Sequence, residues 1–271
     1  MTPRTVTIGD IVAAVTDAAP ECLQEDWDNS GWQVLASPVD SVCRGVLVSL
    51  DVTPEVVDEA AARGCNLIVS HHPPIFKGVR NLVPDTRAKR AVIDALTRGI
   101  SVYSAHTSLD NSPLSASRMM AVALGLDDVG YFAPDGPENP VRCCAFGRYA
   151  APVTAAEFVE RVATLYGGGV RFTSGKPSGT VETVVVCGGS GGEFISRAAS
   201  CGVDAIVTSD VRYHDFLDFA ETILIADTGH FESEICTKSI FSAIISKKFP
   251  NFALHIAECE TPPVHYMVKS K

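Results

Sequence analysis

Two adjacent histidines at the end of a predicted strand are the first residues able to do metal chemistry. The apolar run 66–70 ends directly in His71 and His72. Adjacent residues that leave a strand point in opposite directions, so both imidazoles can serve one site only if it lies at the strand end. The prolines Pro73 and Pro74 stop the chain from continuing as strand or helix. Two imidazoles held in this way suit zinc, iron or manganese, although ordinary hydrogen-bonded histidines remain an alternative interpretation.

A further histidine lies four residues before a glutamate, where another helix is expected to begin. His230 and Glu234 would share one face of that helix, because residues four apart are neighbours. An imidazole and a carboxylate on one face can ligate an ion, and the two carboxylate oxygens can bridge two ions. An acidic residue in the first turn is also favoured by the helix dipole alone. That explanation stays open for Glu234, and it is the one we adopt for Glu232.

Asp110 follows a predicted strand at 101–105 and precedes Asn-Ser-Pro at 111–113. By itself it is better explained as a turn or cap residue. The ensemble is more informative, because three histidines, one aspartate and one glutamate at strand ends offer five ligands with one bridging carboxylate. Such a set matches two divalent ions about 3.5–4 Å apart. The sequence therefore predicts a dinuclear site formed by His71, His72, Asp110, His230 and Glu234.

Weaker candidates surround these ligands. His106 and His214 are possible proton carriers near a strand-end site, or else hydrogen-bonded framework histidines. The glycine-rich turn after a predicted strand at 183–187 could hold a phosphate through its backbone amides. It lacks the P-loop Gly-Lys-Ser/Thr, and a purely structural turn is the alternative. The residues of this candidate anion turn are Gly188, Gly189, Ser190 and Gly191.

The elements that must position these side chains alternate between strands and helices, which is typical of an α/β fold. We expect two α/β lobes with mixed, mostly parallel sheets and the metal site at strand carboxyl ends in the cleft. Residues 130–140 are dense in Pro and Gly and are expected to link the lobes, which would span 1–129 and 130–271. Strands are expected at 46–50, 66–70, 101–105, 142–149, 183–187, 205–208, 222–226 and 252–256. Helices are expected after the caps Thr7 and Thr53 and at 87–97, 114–124, 155–166, 193–200, 213–221 and 232–247.

Composition narrows the class of partner. The 271 residues carry a formal net charge of -10, which argues against nucleic acid or an anionic membrane as the main partner. Residues 1–20 predict an amphipathic helix and not a signal peptide. The nine cysteines include no CxxC spacing, so no disulfide framework is expected. Cys143 and Cys144 are interpreted as buried small hydrophobes, and the expected compartment is the cytoplasm.

Six motifs together resemble one known family. They run in order over nearly the whole chain: Asp26-Trp27-Asp28-Asn29-Ser30-Gly31, Ser70-His71-His72-Pro73-Pro74-Ile75-Phe76, Ala105-His106-Thr107-Ser108-Leu109-Asp110, Gly188-Gly189-Ser190-Gly191, Thr208-Ser209-Asp210-Val211-Arg212-Tyr213-His214 and Gly229-His230-Phe231-Glu232-Ser233-Glu234. The sequence is similar to the Nif-three-like family, often labelled GTP cyclohydrolase 1 type 2 homologue. The resemblance implies a two-lobed α/β fold, a dinuclear metal centre and a ring-shaped homo-hexamer.

The resemblance also implies an assignment of ligands. One ion would be held by His72, Asp110 and Glu234, and the other by His71, His230 and Glu234. The family usually has Asn where Ser108 stands and Gly where Ser209 stands, differences that bear on substrate contacts and not on the metals. The length leaves no room for the inserted domain that some members carry.

Three functions are compatible with this site. The first is a metal-dependent hydrolase acting on a nucleotide or similar small molecule, with His106 or His214 moving protons. In cyclohydrolysis, water would add at the imidazole carbon of a guanine. The second is a non-catalytic metal store, metallochaperone or regulatory adaptor, although trafficking proteins more often use exposed thiolates. The third is a metallophosphatase or phosphodiesterase, which uses the same geometry on a phosphoryl centre.

Overall fold

The computed structural model describes residues 5–167, 169–176 and 179–267. Within them the chain forms two compact units. Unit 1 runs to Leu114 and includes Cys236–Thr261, whereas unit 2 comprises Ser115–Ile235 and the residues from Pro262 onward. No helix within the described residues is long and apolar enough to span a membrane.

Unit 1 is a three-layer α/β sandwich. Its sheet has the order β1-β4-β3-β2-β11; β1 is antiparallel to β4 and the other pairs are parallel. The elements are α1 (Ile8–Ala18), β1 (Gly31–Val34), β2 (Val46–Ser49), α2 (Pro54–Ala62), β3 (Leu67–Ser70), α3 (Arg87–Thr97), β4 (Ser101–Ser104), α4 (Thr107–Asp110), α10 (Thr237–Lys248) and β11 (Leu254–Ile256), with a 3-10 turn at Glu21–Leu23.

Alternation along the strands of unit 1 divides the core between the two sheet faces. Val46 and Val48 pack with α1 and α10 on one face, and Leu47 packs with α2 and α3 on the other. The predicted caps are confirmed: Thr7 accepts the Asp10 amide in a capping box, and Thr53 accepts the amide at N3 of α2. Residues 1–4 of the expected first helix lie outside the described residues.

Unit 2 repeats the three-layer plan with the strand order β5-β6-β8-β9-β10-β7. The pairs β8–β9 and β9–β10 are parallel, and the outer pairs are antiparallel. The elements are α5 (Ala116–Ala123), β5 (Asp127–Phe132), β6 (Val141–Thr154), α6 (Ala155–Leu165), β7 (Arg171–Phe172), β8 (Thr180–Ser190), α7 (Ile195–Ser200), β9 (Ala205–Ser209), α8 (Tyr213–Phe219), β10 (Leu224–Asp227) and α9 (His230–Glu234), with a 3-10 turn at Gly192–Phe194. The expected α/β fold with mixed sheets is confirmed.

The structure differs from expectation at the boundary between the units and in one helix, and it adds elements that the sequence did not predict: β1, β5, β7 and α4. The segment 130–140 is not a linker between units, because β5 extends to Phe132 and residues 133–140 connect it to its antiparallel partner β6. Pro and Gly mark breaks in regular structure, and a turn inside one sheet needs them as much as a domain boundary does. The division of the chain falls at Leu114–Ser115 and not at 129–130. The helix expected at 232–247 is two helices, α9 and α10, which belong to different units.

Candidate metal centre

In unit 1, three neighbouring parallel strands end at one edge of the sheet. Asp51 follows the end of β2, His71 and His72 follow β3, and His106 follows β4. The ring centroids of the histidines lie 5.0 Å (His71–His72), 5.2 Å (His71–His106) and 5.5 Å (His72–His106) apart. One nitrogen from each ring lies within 4.8 Å of the others. Unit 1 by itself therefore gathers three imidazoles that could hold a metal ion.

Hydrogen bonds at Nδ1 fix the orientation of the two adjacent histidines. His71 is fully buried, and its Nδ1 donates to the Ala105 carbonyl at 3.1 Å. Nδ1 of His72 lies 2.9 Å from Oδ1 of Asp51. Metal-binding histidines characteristically engage their other ring nitrogen in this way, which sets the tautomer and the ring orientation. In this arrangement Nε2 is the nitrogen of each ring that could ligate a metal ion.

Asp110 ends the short helix α4, which continues directly from the β4 strand end. Its Oδ1 lies 3.7 Å from Nε2 of His71. Four residues of helix bring this carboxylate back toward the strand-end histidines, so the three ligands predicted from the first half of the sequence are neighbours in unit 1.

The Nδ1 atom of His106 is hydrogen-bonded to a buried aspartate. The Asp28 side chain is fully buried and its Oδ1 lies 2.7 Å from Nδ1 of His106. Its Oδ2 accepts the Thr107 amide at 3.0 Å and the Ser30 hydroxyl at 2.8 Å. Burial would raise the pKa of Asp28, but these hydrogen bonds outweigh it and hold that pKa far below its ordinary value. Burial lowers the pKa of His106, despite the opposing hydrogen bond with Asp28.

In unit 2, the ends of parallel strands again carry the candidate ligands. Asp210 follows β9, and His230 begins α9 three residues after the end of β10. Nδ1 of His230 lies 2.6 Å from Oδ2 of Asp210, and its Nε2 lies 2.9 Å from Oε2 of Glu234. The Glu234 side chain is only 4% exposed. A buried carboxylate requires a cation or several donors, and this one faces the imidazole nitrogen that a metal would take.

The glycine-rich segment packs directly against Glu234, and it is not the turn expected from the sequence, because β8 continues to Ser190 with a register shift after Val186. A Cβ at Gly189 would stand 2.2 Å from Oε1 of Glu234, and the φ of this residue is +66°. The Gly189 amide donates to the Ser233 hydroxyl at 3.0 Å, and the Gly188 amide donates to the Ser117 hydroxyl at 2.9 Å. Two of the amides expected to hold a phosphate are therefore used inside unit 2, where Gly189 makes room for a candidate ligand.

Three further residues that the sequence analysis named lie outside the set of candidate metal ligands. His214 is exposed near the start of α8, with its ring edge-on to Tyr213. Ser209, where the resemblance leads us to expect Gly, has its Oγ 2.9 Å from Oγ of Ser233. Ser108 is fully buried, and its hydroxyl has no hydrogen-bond partner within the described part of the chain.

Sequence reasoning missed the three carboxylates that orient the histidines. Asp51 and Asp210 each lie just beyond a strand end, which is the signal that identified the histidines themselves. Asp28 lies at no predicted strand end. Its role depends on a contact 78 residues away along the chain, which no local pattern reveals.

The donor set fits a divalent metal. Imidazole nitrogens and carboxylate oxygens are borderline and hard ligands, and the histidines have acceptors at Nδ1 in the manner of metal-binding histidines.

Comparisons with known proteins identify the family. A model of the Duf34/NIF3 (NGG1p interacting factor 3) family matches residues 6–263. A relative from Clostridium acetobutylicum named GTP cyclohydrolase 1 type 2 homolog is 31% identical and covers 94% of this chain and 93% of its own. One of the same name from Streptomyces coelicolor is 32% identical over 84% of this chain and 81% of its own.

Solved structures share the fold. A hypothetical protein from Staphylococcus aureus superimposes with a TM-score of 0.84 at 24% identity, covering 97% of this chain and 100% of its own. A Bacillus cereus protein described as related to NIF3 gives a TM-score of 0.83 at 22% identity, with the same coverage of both chains.

Proposed function

Because the chain belongs to the Duf34/NIF3 (NGG1p interacting factor 3) family, we propose that it is a dinuclear metal-dependent hydrolase acting on a nucleotide or similar small molecule. The observation that carries the proposal is the hydrogen-bond acceptor at Nδ1 of each candidate histidine. Ordinary surface histidines do not need such an acceptor, whereas metal-binding histidines characteristically have one. These acceptors are Asp51 at His72, Asp210 at His230 and the Ala105 carbonyl at His71. The proposed metal ligands are His71, His72, Asp110, His230 and Glu234.

The ligand residues have distinct tasks in this proposal. His72, Asp110 and Glu234 would hold one ion, and His71, His230 and Glu234 would hold the other, so Glu234 would serve both. When bound, two divalent ions such as zinc, iron or manganese lower the pKa of a water molecule and polarise the bond it attacks.

Three residues of unit 1 support a planar substrate. The rings of Trp27 and Phe76 lie 5.9 Å apart and each lies 6.0 Å from the His106 ring. Trp27 is 60% exposed and Phe76 is 43% exposed, which leaves aromatic surface on which a flat heterocycle can stack. His106, with Nδ1 held by Asp28, would carry the proton at Nε2. A second proton carrier at His214 and an anion turn at Gly188–Gly191 remain predictions, and the internal hydrogen bonds of two turn amides weigh against the latter.

Metal analysis of purified protein tests the ligand set. We expect two ions per chain in the native protein, loss of both in Glu234→Ala because the bridging ligand serves each, and preferential loss of one in His71→Ala. Glu232→Ala is the matched control, because this residue occupies the same helix but is not a proposed ligand. Retention of two ions in both ligand variants would refute the site.

Measurements of turnover distinguish a hydrolase from a non-catalytic metal-binding protein and from a phosphatase. Metal-loaded protein is incubated with GTP and formate release is followed with zinc, manganese and iron in turn. Formate release that disappears in Glu234→Ala supports the hydrolase. Bound ions without turnover of any nucleotide favour a non-catalytic metal-binding protein, and release of inorganic phosphate indicates phosphatase chemistry.

We also propose that the chain assembles as a homo-hexameric ring, as the family resemblance implies. Sedimentation velocity tests this directly, and a monomer at micromolar concentration would contradict it.

A further inference from the structure

Three cysteines converge in unit 2, and none of them is among the metal ligands predicted from the sequence. Cys143 and Cys144 lie on β6 and Cys187 lies on β8, and their sulfur atoms are all within 4.8 Å of one another. Cys144 and Cys187 face each other directly across the antiparallel pair. Cys143 would ordinarily point to the opposite face of the sheet, because successive strand residues alternate.

An irregularity in β6 accounts for this arrangement. Tyr131 of β5 pairs with Ala145, whereas the next residue, Phe132, pairs with Val141. The segment 142–144 therefore has no regular partner on β5 and forms a bulge, a feature that re-aims side chains. The bulge allows two consecutive cysteines to approach the same cross-strand thiol, which a local sequence pattern could not indicate.

The three thiols are chemically unequal. Cys144 is fully buried and Cys187 is 3% exposed, whereas Cys143 is only half-buried. Burial raises the pKa of Cys144 well above its ordinary value. Hydrogen bonds from the Cys144 and Cys187 thiols outweigh burial and lower the pKa of Cys143. The least buried of the three cysteines is thus the one whose sulfur is best able to be a thiolate.

The apolar surroundings of the three cysteines favour an uncharged state of their sulfur atoms. Cys144 and Cys187 belong to an apolar cluster with Val185 and Ile195, against which Cys143 packs. Within the described chain, no cationic side chain is among the groups that set the pKa of Cys143. A thiolate at Cys143 would place one negative charge against this apolar cluster, which is costly. A disulfide carries no charge.

We propose that Cys143 is a peroxide-reactive thiol that forms a disulfide with Cys187. The Cys143 sulfur attacks one oxygen of hydrogen peroxide, the O–O bond breaks, and the departing hydroxide takes up a proton to become water. The resulting sulfenic acid is attacked by the Cys187 sulfur, the S–O bond breaks, and a second water leaves. Two thiols lose two hydrogens and the peroxide is reduced to two waters.

Backbone geometry selects Cys187 over Cys144 as the partner. Neighbouring Cα atoms are about 3.8 Å apart across a trans peptide, which is below the roughly 4.4–6.8 Å range of disulfides. Cys187 lies on the neighbouring strand, opposite Cys144, and its Sγ lies within 4.8 Å of that of Cys143, so the short spacing of adjacent residues does not limit this pair. Cys144 is a positioning residue that donates a hydrogen bond to the thiolate.

Peptide mapping of the full-length protein tests the proposal. The protein is treated with hydrogen peroxide, its remaining thiols are alkylated, and it is digested with trypsin. Cleavage after Arg142 and Arg148 releases a peptide that contains both Cys143 and Cys144. We expect this peptide to be linked to the one containing Cys187, with a mass lower by two hydrogens than the sum of the reduced peptides.

Single variants distinguish the three sulfurs. Cys143→Ser is expected to lose the cross-link, Cys144→Ser to retain it with slower formation, and Cys187→Ser to stop at a sulfenic acid that a 1,3-dione probe traps on Cys143. The exposed Cys201→Ser is the control and should form the cross-link at the native rate. A native rate of cross-linking in Cys143→Ser, no cross-link in the folded native protein, or a stoichiometric metal ion lost on Cys143→Ser would overturn the proposal.

Discussion

At the scale of single residues, each candidate histidine ligand is oriented by a hydrogen-bond partner at its Nδ1. His72 and His230 each place Nδ1 within 2.9 Å of an aspartate oxygen, and His71 donates from Nδ1 to a carbonyl. Such partners fix the ring and raise the basicity of the ligand nitrogen. Glu234 is placed differently, because the absence of a side chain at Gly189 makes room for its carboxylate.

Gly189→Ala tests that dependence. A Cβ would stand 2.2 Å from Oε1 of Glu234, and the φ of +66° already disfavours an L side chain. We expect a loss of metal content together with destabilisation greater than the roughly 1–2 kcal/mol of left-handed strain alone. Metal analysis and thermal unfolding measure the two effects.

The matched control is Gly202→Ala, also in unit 2, which has a φ of +76° and no atom within 4 Å of the added Cβ. This variant should be destabilised by the backbone strain in thermal unfolding, but it should keep the metal content of the native protein. Equal metal contents in the two variants would contradict the role assigned to Gly189.

At the scale of elements, the Asp204 carboxylate joins β8, which contains Gly189, to β9, which leads to Asp210. Asp204, just before β9, accepts the Thr183 amide at 2.9 Å and the Glu182 amide at 3.1 Å from β8. It also accepts Nζ of Lys176 at 2.6 Å. Burial would raise the pKa of Asp204, but these hydrogen bonds outweigh it and lower the pKa below 3.8.

This predicts a defined dependence of stability on pH. Because the pKa of Asp204 is lower in the folded state, its stabilising effect is fully present above the unfolded-state pKa of about 3.9. The effect is lost as the pH falls through the folded pKa. Asp204→Asn should therefore lower the urea midpoint most at neutral pH, with the difference from the native protein shrinking below pH 4. The exposed Asp218→Asn is the control, and a difference independent of pH would contradict the assignment.

At the scale of the whole molecule, unit 1 is discontinuous in sequence. Its sheet is completed by β11 and one of its faces is covered by α10, although both follow the whole of Ser115–Ile235 along the chain. Phe241 of α10 is fully buried in the cluster that contains Val46 and Leu67 of the central strands. The stability of the strands that carry His71 and His72 therefore depends on a late segment.

Phe241→Ala tests this dependence. Removing a buried phenylalanine costs about 3–5 kcal/mol, and we expect the loss to appear as faster hydrogen exchange in β2 and β3. The amides of β9 and β10, in unit 2, should keep their protection. Thr16→Ala, at a half-buried position of α1, should leave both sets unchanged. Equal loss of protection in both units would show that they unfold together and contradict the prediction.

Much of the fold and the types of ligand follow from the sequence by itself. Helix caps such as Thr7, the exact span of Arg87–Thr97 and the buried strands before His71 and Asp210 are encoded by local propensity and apolar periodicity, which need only neighbouring residues. Proline and glycine in 130–140 correctly indicated a break, but breaks within and between domains have the same local chemistry.

Only the tertiary structure decided which distant residues act together. The bond between Asp28 and His106, the room that Gly189 makes for Glu234 and the approach of Cys143 to Cys187 all join residues that are far apart in the sequence. Each depends on strand order, a bulge or a positive φ, which are set by the packing of whole sheets. The sequence determined which side chains were available for chemistry, and the fold determined which distant groups contact each of them.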